Sequence, residues 1–415
     1  MATTRDAAAT AVRAPQRPAR RAGRPGRARS WLGAGFAVAT IGWGANQFTP
    51  LLLLYGPRLG LSAAIVEATF GMYALGLMPG LLVAGRVSDR IGRRPVVLFS
   101  IVLSMAAGAV LMLGAHGVAW LFVGRVIMGV ASGCGFSAGA AWIKELSMPP
   151  YARATVGAGA RRASVAMTLG FGLGPLVAGA AGQWAPLPTI SPYVPQLVLA
   201  VCAIPLALRT PETMPRGQAG TGGRLFRIHG LGAPRFLRVV LPLAPWVFGS
   251  AAIAMAFVPG LVIGQVRGIA VFFGALAALC TAASGVLVQP LARRLDQPGR
   301  PRLLVIGMSL VTVGLVVEAG VAALGQPILV LVAAALLGSG YGFCLVYGLA
   351  EVQRMARPAE LAGMTAVFQA ATYLGFAAPY LLSVLRAYAS ASVLLLAVAA
   401  LAALTLVVTG SQARR

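Results

Sequence analysis

The sequence predicts an all-α integral membrane protein of twelve transmembrane helices arranged as two six-helix halves. Three observations carry that expectation. Hydrophobic residues make up 58% of the 415-residue chain and charged residues only 10%, with mean hydropathy +0.83. A soluble domain carries about 25% charged residues, so this composition leaves too little polar surface to face water. The apolar runs reach the roughly 20 residues that a helix needs to cross a bilayer, and they lack the alternation of a barrel strand. Finally, the chain repeats itself. A shift of 207 residues brings Arg86 onto Arg293, Asp89 onto Asp296, Gly92 onto Gly299 and Arg93 onto Arg300. The same shift places Gly133-Cys134-Gly135-Phe136 on Gly340-Tyr341-Gly342-Phe343 and Lys144 on Glu351. Such a parallel repeat is how carriers with two halves about a central axis are built.

In chain order, residues 1–30 hold eight arginines with many Ala and Pro and no apolar run, the composition of a disordered basic tail. Its length and prolines do not fit the start of a signal peptide. The first half, 31–208, should hold spans 1 to 6 at 31–55, 61–84, 96–114, 118–142, 160–182 and 193–208. A polar linker follows at 209–234. The second half, 235–409, should hold spans 7 to 12 at 236–263, 268–290, 302–323, 327–350, 360–383 and 388–409, with a short tail at 410–415.

Charge sets the expected orientation. The net charge is +25 and Lys144 is the only lysine. Arginines crowd alternate loops: Arg86, Arg90, Arg93 and Arg94; Arg153, Arg161 and Arg162; Arg209, Arg216, Arg224, Arg227, Arg235 and Arg238; Arg293, Arg294, Arg300 and Arg302; Arg354 and Arg357. The opposite loops hold only Arg58, Arg267 and Arg386. By the positive-inside rule the crowded loops and both termini face the cytoplasm, in a plasma or bacterial inner membrane. Membrane topology thus accounts for the basic excess, and no nucleic-acid partner is expected. Cys134, Cys202, Cys280 and Cys344 show no metal or redox spacing, so no metal is expected. There is no phosphate-binding P-loop and hence no direct ATP drive. Neither a cofactor nor an enzymatic activity is expected.

The densest polar stretch is Gly85–Pro95, which holds four arginines and Asp89 between long apolar runs. Gly85, Asp89, Gly92, Arg93 and Arg94 match G-x-x-x-D-x-x-G-R-[KR]. With twelve spans and the repeat, the chain resembles the major facilitator superfamily, which carries this signature between helices 2 and 3. In the second half Asp296, Gly299 and Arg300 remain, while Ala292 and Pro301 depart from it. Gly85 lets two helix ends approach. Asp89 with Arg90, Arg93, Arg94 and Arg161 or Arg162 could form a charge-assisted gate that favours the outward-open state. On the plainer reading the arginines only set topology.

Arg125 lies within span 4, where a charge costs about 2.5–3.5 kcal/mol on insertion scales. Arg125 and Gly129 resemble the helix 4 pattern of superfamily antiporters, which implies substrate or proton handling. Alternatively Arg125 snorkels to headgroups, being only about 9 Å into its helix. Gly170–Gly179, with Gly174-Pro175, resembles the helix 5 motif of superfamily exporters, although Ala178 replaces one glycine and span 11 echoes part of the pattern. Polar and aromatic residues nominate a cavity: Trp43, Asn46 and Gln47 in span 1, Trp246 in span 7, Tyr341 and Tyr347 in span 10, Gln369, Tyr373, Phe376 and Tyr380 in span 11. Aromatics with a few amides suit an amphipathic, poorly charged ligand. Acids are few: Glu67, Glu145, Glu318 and Glu351. Protons are therefore a coupling ion implied by the resemblance more than by residues, and Lys144 and Glu351 could pair across the halves.

The expected function is proton-coupled efflux of small amphipathic molecules by alternating access, by a protein embedded in the bilayer. A monomer is what the resemblance implies. The alternatives are a facilitator or uptake carrier, for which Pro211-Glu212-Thr213 loosely resembles a sugar-porter signature, and a membrane sensor or scaffold without transport.

Overall fold

A computed structural model describes residues 29–155, 157–214, 229–357 and 360–413. The expected basic tail over 1–28 and the centre of the linker, 215–228, lie outside these residues. All regular structure among the described residues is helical. Eleven segments are long and apolar enough to cross a membrane: Ala63–Ile91, Arg93–His116, Val118–Leu146, Ala158–Trp184, Ser191–Arg209, Phe236–Leu261, Ala270–Leu295, Arg302–Leu324, Pro327–Met355, Gly363–Leu385 and Ala391–Ala413. They are spans 2 to 12. Span 1 is the twelfth helical segment, and it is broken. Trp31–Asn46 passes through a 3-10 turn at Thr49–Leu51 into Leu52–Leu59. Pro50 lacks the N–H that a continuous helix would use there.

Several boundaries differ from expectation. Gly85–Pro95 is scarcely a loop: span 2 stays helical to Ile91 and span 3 begins at Arg93, so Gly92 alone turns the chain. Gly92 has φ +105°, and a Cβ there would lie 2.6 Å from Glu212 Oε2. Span 7 contains two π-helical turns, Phe236–Val240 and Ile253–Phe257. Span 11 is interrupted by a 3-10 turn at Leu374–Ala377, just before Pro379. Span 12 continues to Ala413, through most of the expected tail.

Each half has its own apolar core. One is built on Ile41, Leu77, Val97, Met128 and Trp142, the other on Val247, Met308, Leu337, Phe343 and Phe368. A third cluster belongs to both halves. Phe48, Leu51, Tyr55, Val66 and Phe70 meet Ala252, Ala256 and Val271 at the end opposite Asp89. We call this the far end and the other the arginine end.

The repeat is visible in packing, with a changed register. A Cβ on Gly129 would fall 2.1 Å from Tyr73 O, and one on Gly133 2.4 Å from Leu77 O, so span 4 crosses span 2 backbone to backbone. Gly338 and Gly342 make the corresponding close approaches to Thr281 O and Gly285 O in span 8. From 129 to 338, and from 133 to 342, the offset is 209. The Gly-x-Gly-Phe match at 207 therefore pairs residues with different neighbours: Gly133 faces span 2, whereas Gly340 faces Gly307 and Val311 of span 9.

Candidate functional site

Two charged clusters lie at the arginine end, one in each half. In the first, Arg93 Nη1 is 2.5 Å from Asp89 Oδ1 and Nη2 is 2.9 Å from Glu145 Oε1. Arg93 also donates to Ser88 Oγ at 2.7 Å, and Thr213 Oγ1 donates to Glu145. Glu212 completes the cluster. Its carboxylate accepts from the backbone N–H of Arg93 at 3.0 Å, Arg94 at 2.9 Å, Thr213 at 2.9 Å and Met214 at 3.1 Å. It thus caps the open N–H groups that begin span 3, where the helix dipole also favours an anion. Trp142 Nε1 donates to Pro211 O and Tyr151 OH to Glu212 O, fixing this strap across spans 3 and 4.

In the second half, Arg354 pairs with Asp296 at 2.5 Å and Glu351 at 2.9 Å, and Arg235 reaches Glu351 at 2.6 Å. The Glu351 carboxylate raises the Arg235 guanidinium above its ordinary value. The polarity is inverted between halves. At the packing offset of 209, Glu145 corresponds to Arg354.

Each of these ion pairs joins residues of one half. Glu351 is engaged by Arg235 and Arg354, and Lys144 is exposed, so the expected pair across the halves is not formed. Arg161 and Arg162 do not meet Asp89. Arg161 donates to Thr155, while Arg162 donates to Ser147 and lies 4.7 Å over the Trp31 ring. Arg94 donates to Leu208 O, and Arg90, Gly299 and Arg300 are exposed. Gly85 approaches span 4, where a Cβ would sit 3.2 Å from Ser137 Oγ.

Deeper in, Arg125 is 1% exposed, so it does not snorkel. Its guanidinium donates to Ala45 O at 3.0 Å, Phe70 O at 3.3 Å and Thr69 O at 3.4 Å. It lies 4.6 Å from the Tyr73 ring centroid, 4.9 Å from Phe48 and 5.8 Å from Phe70. Carbonyls and ring faces together solvate a charge that has no carboxylate partner among the described residues. One ring further lies the junction of the halves. Phe376 of span 11 stacks on Phe70 at 5.1 Å and sits 6.0 Å from Tyr73. Behind it, Tyr373 stacks on Phe248 at 4.7 Å, and Tyr341 lies 6.0 Å from Phe248.

The other nominated residues scatter. Asn46 donates to Phe171 O of span 5 and accepts from Thr49. Gln47 and the indole N–H of Trp43 are buried without a hydrogen-bond partner, as is the hydroxyl of Tyr347. Trp246 turns from the junction to donate to Thr405 of span 12 at 3.2 Å. Gln369 is half-buried. Gly174 packs against the backbone of Trp43, and the helix runs unbroken through Pro175. Phe376, nominated with Tyr373 from span 11, does reach the junction, whereas Phe70 and Phe248 carried no signal in the sequence. Glu318 lies fully buried in the core of the second half with both carboxyl oxygens unpaired. Glu67 lines a cleft of about 380 Å³ between spans 1, 2 and 7 at the far end. Among the described residues no cluster of His, Cys, Asp and Glu could hold a metal.

The family model for the Major Facilitator Superfamily matches residues 32–379. The chain belongs to this superfamily. It is therefore a multi-pass membrane protein of a transporter family. Multidrug resistance protein MdtL of Klebsiella pneumoniae (strain 342) is 37% identical over 75 residues, 18% of this chain and 19% of its own length. Solute carrier family 2, facilitated glucose transporter member 6 of Homo sapiens is 35% identical over 102 residues, 25% of this chain and 20% of its own. Inner membrane transport protein YajR of Escherichia coli (strain K12) is 30% identical over 106 residues, 25% and 23% of the two chains. This chain thus spans about a fifth of the length of the curated relatives it matches. Among solved structures, a POT family transporter in complex with 5-aminolevulinic acid superposes with TM-score 0.75 at 14% identity, over 95% of this chain and 98% of the other. The nucleoside transporter NupG gives 0.69 at 15%, over 92% and 98%. At such identities the likeness is one of superfamily fold.

Proposed function

We propose that this superfamily member is a secondary carrier that exports small amphipathic molecules from the cytoplasm, rocking its halves about a central site and drawing on a proton gradient. The observation that carries this reading is the junction at Phe376. There, a chain of aromatic rings from spans 2, 7, 10 and 11 crosses the zone where the halves meet, and its span 2 rings, Phe70 and Tyr73, lie against the buried Arg125 guanidinium. Rings with few charges favour an amphipathic, poorly charged ligand. Alternating access is supported by the asymmetry of the two ends. Apolar residues of both halves seal the far end, while the ion pairs of the arginine end close within each half. We assign the arginine end to the cytoplasm from the charge of its loops, with both termini on that side, the chain in a plasma or inner membrane and the monomer as the working unit. Export is favoured by the Gly174-Pro175 pattern and the partial match to MdtL. Among the buried acids, Glu67 is the candidate for proton coupling because it faces a cleft shared by the two halves.

A second reading, a facilitator or uptake carrier, is supported by the Glu212 cap after span 6 and the partial match to facilitated glucose transporter member 6. Uptake of fluorescent amphiphiles into everted membrane vesicles separates the two. Proton-coupled export predicts accumulation that a proton ionophore abolishes. Accumulation never exceeding equilibrium, and indifferent to the ionophore, assigns the facilitator instead.

A further inference from the structure

At the far end, span 5 and span 8 belong to different halves, and one side chain ties them together. Gln183, in the last turn of Ala158–Trp184, donates through Nε2 to Gly268 O at 2.8 Å. Its Oε1 accepts from Val271 N at 3.0 Å. Val271 is the second residue of Ala270–Leu287, so its N–H is among those at a helix start with no partner inside the helix. The amide therefore satisfies a donor and an acceptor of the other half at once. Beside it, the Trp184 and Phe272 rings lie 4.9 Å apart, also across the halves. One turn deeper, Gly179 keeps the helices close: a Cβ there would fall 2.4 Å from Ala275 Cβ.

We propose that Gln183 is a positioning residue of the transport cycle: its two-pronged bond latches the far end shut and sets how long the carrier rests open only at the arginine end. The proposal rests on the rocking of the halves put forward above. Three physical points carry it. Parting of the halves at this end separates Gln183 from Gly268 and Val271, so both bonds exist in the closed state alone. A ligand-independent contact present in one state shifts the equilibrium by its whole differential free energy. The bonds lie near the surface, where water competes, so each contributes modestly, and the latch can release within a cycle.

The test uses full-length protein in liposomes, with its native cysteines replaced and Ala256→Cys introduced as reporter. Ala256 is 2% exposed and sits in the apolar seal and the cleft beside Gly260. Its labelling by a hydrophilic maleimide therefore reports opening. Gln183→Ala should raise the labelling rate about tenfold, on the scale of two modest hydrogen bonds. Gln183→Glu keeps an acceptor for Val271 N but loses the donor to Gly268 O, and should fall between. A second background retains only Cys344, which is fully buried in the core of one half. Its labelling should stay unchanged, because a latch opens the junction and not the half. Equal Ala256→Cys labelling with and without the Gln183 substitutions overturns the latch, and so does a parallel rise at Cys344, which marks general loosening. A reporter that is never labelled, in any variant or with any ligand, contradicts the rocking itself.

Discussion

Glu212 offers the sharpest link from one side chain to the order of the arginine end. Replacing it with Ala removes an acceptor from four backbone N–H groups, two of them at the start of span 3. Loss of a helix N-cap costs about 0.5–2 kcal/mol. Here the acceptor is charged, which strengthens each bond, and part of the group is buried, so about 2 kcal/mol is expected. On the scale of a 150–250-residue unit that lowers the melting temperature by roughly 4–8 °C. The assay is thermal unfolding of purified protein in one detergent. Gly92 supplies an internal check. Gly92→Ala places a Cβ 2.6 Å from Glu212 Oε2 and strains a φ of +105°, a penalty of about 1–3 kcal/mol for the backbone alone. Because Glu212 is the nearest obstacle, the two substitutions should be less than additive. A Glu212→Ala protein melting within 1 °C of wild type, or strict additivity with Gly92→Ala, would refute the capping geometry.

Other outcomes follow from the same contacts. Asp89→Asn removes the acidic partner of Arg93 at 2.5 Å but leaves Glu145. Turnover should fall several-fold while the protein stays folded in the membrane, as measured by transport per molecule; unchanged turnover removes Asp89 from the gate. Arg125→Ala deletes three bonds and three ring contacts, so ligand binding read by fluorescence quenching should weaken at least tenfold, and wild-type binding would leave Arg125 as a structural staple only. Glu67→Gln should abolish the effect of a proton ionophore on accumulation while preserving exchange of ligand across the membrane. Trp246→Phe, which loses only the bond to Thr405, should leave ligand affinity unchanged; a large loss would return Trp246 to the binding site.

The fold was legible because hydropathy and helix length report on the bilayer, and those constraints act on every span. Breaks were harder to read. Pro50 marks the interruption of span 1, yet Pro175 lies in a helix that continues; whether proline breaks a helix depends on how its neighbours resatisfy the backbone. The signature Gly85–Arg94 identified the family, while the partners of its charges were not legible. Glu145 and Glu212 lie 52 and 119 residues from Arg93, and nothing local points to them. The repeat misled at one point. Identical letters at offset 207 suggested that Lys144 answers Glu351, but close helix approach fixes the packing register at 209 through Gly129 and Gly338, which pairs Glu145 with Arg354 instead. Cavity residues chosen by polarity scattered for a related reason. Asn46 and Trp246 satisfy their hydrogen bonds inside one half, and the rings at the junction are largely phenylalanines, whose letters do not distinguish a site from a core.

The central claim is that the two halves carry a ligand across the bilayer. Purified protein in liposomes, loaded with an amphipathic compound chosen by thermal-shift screening, tests it most directly through exchange of labelled for unlabelled compound. Saturable exchange above protein-free liposomes is the expected result, reduced by Asp89→Asn and by Arg125→Ala. A compound that binds and stabilises the protein, yet exchanges no faster than through lipid alone, would contradict it and mark the protein as a membrane sensor.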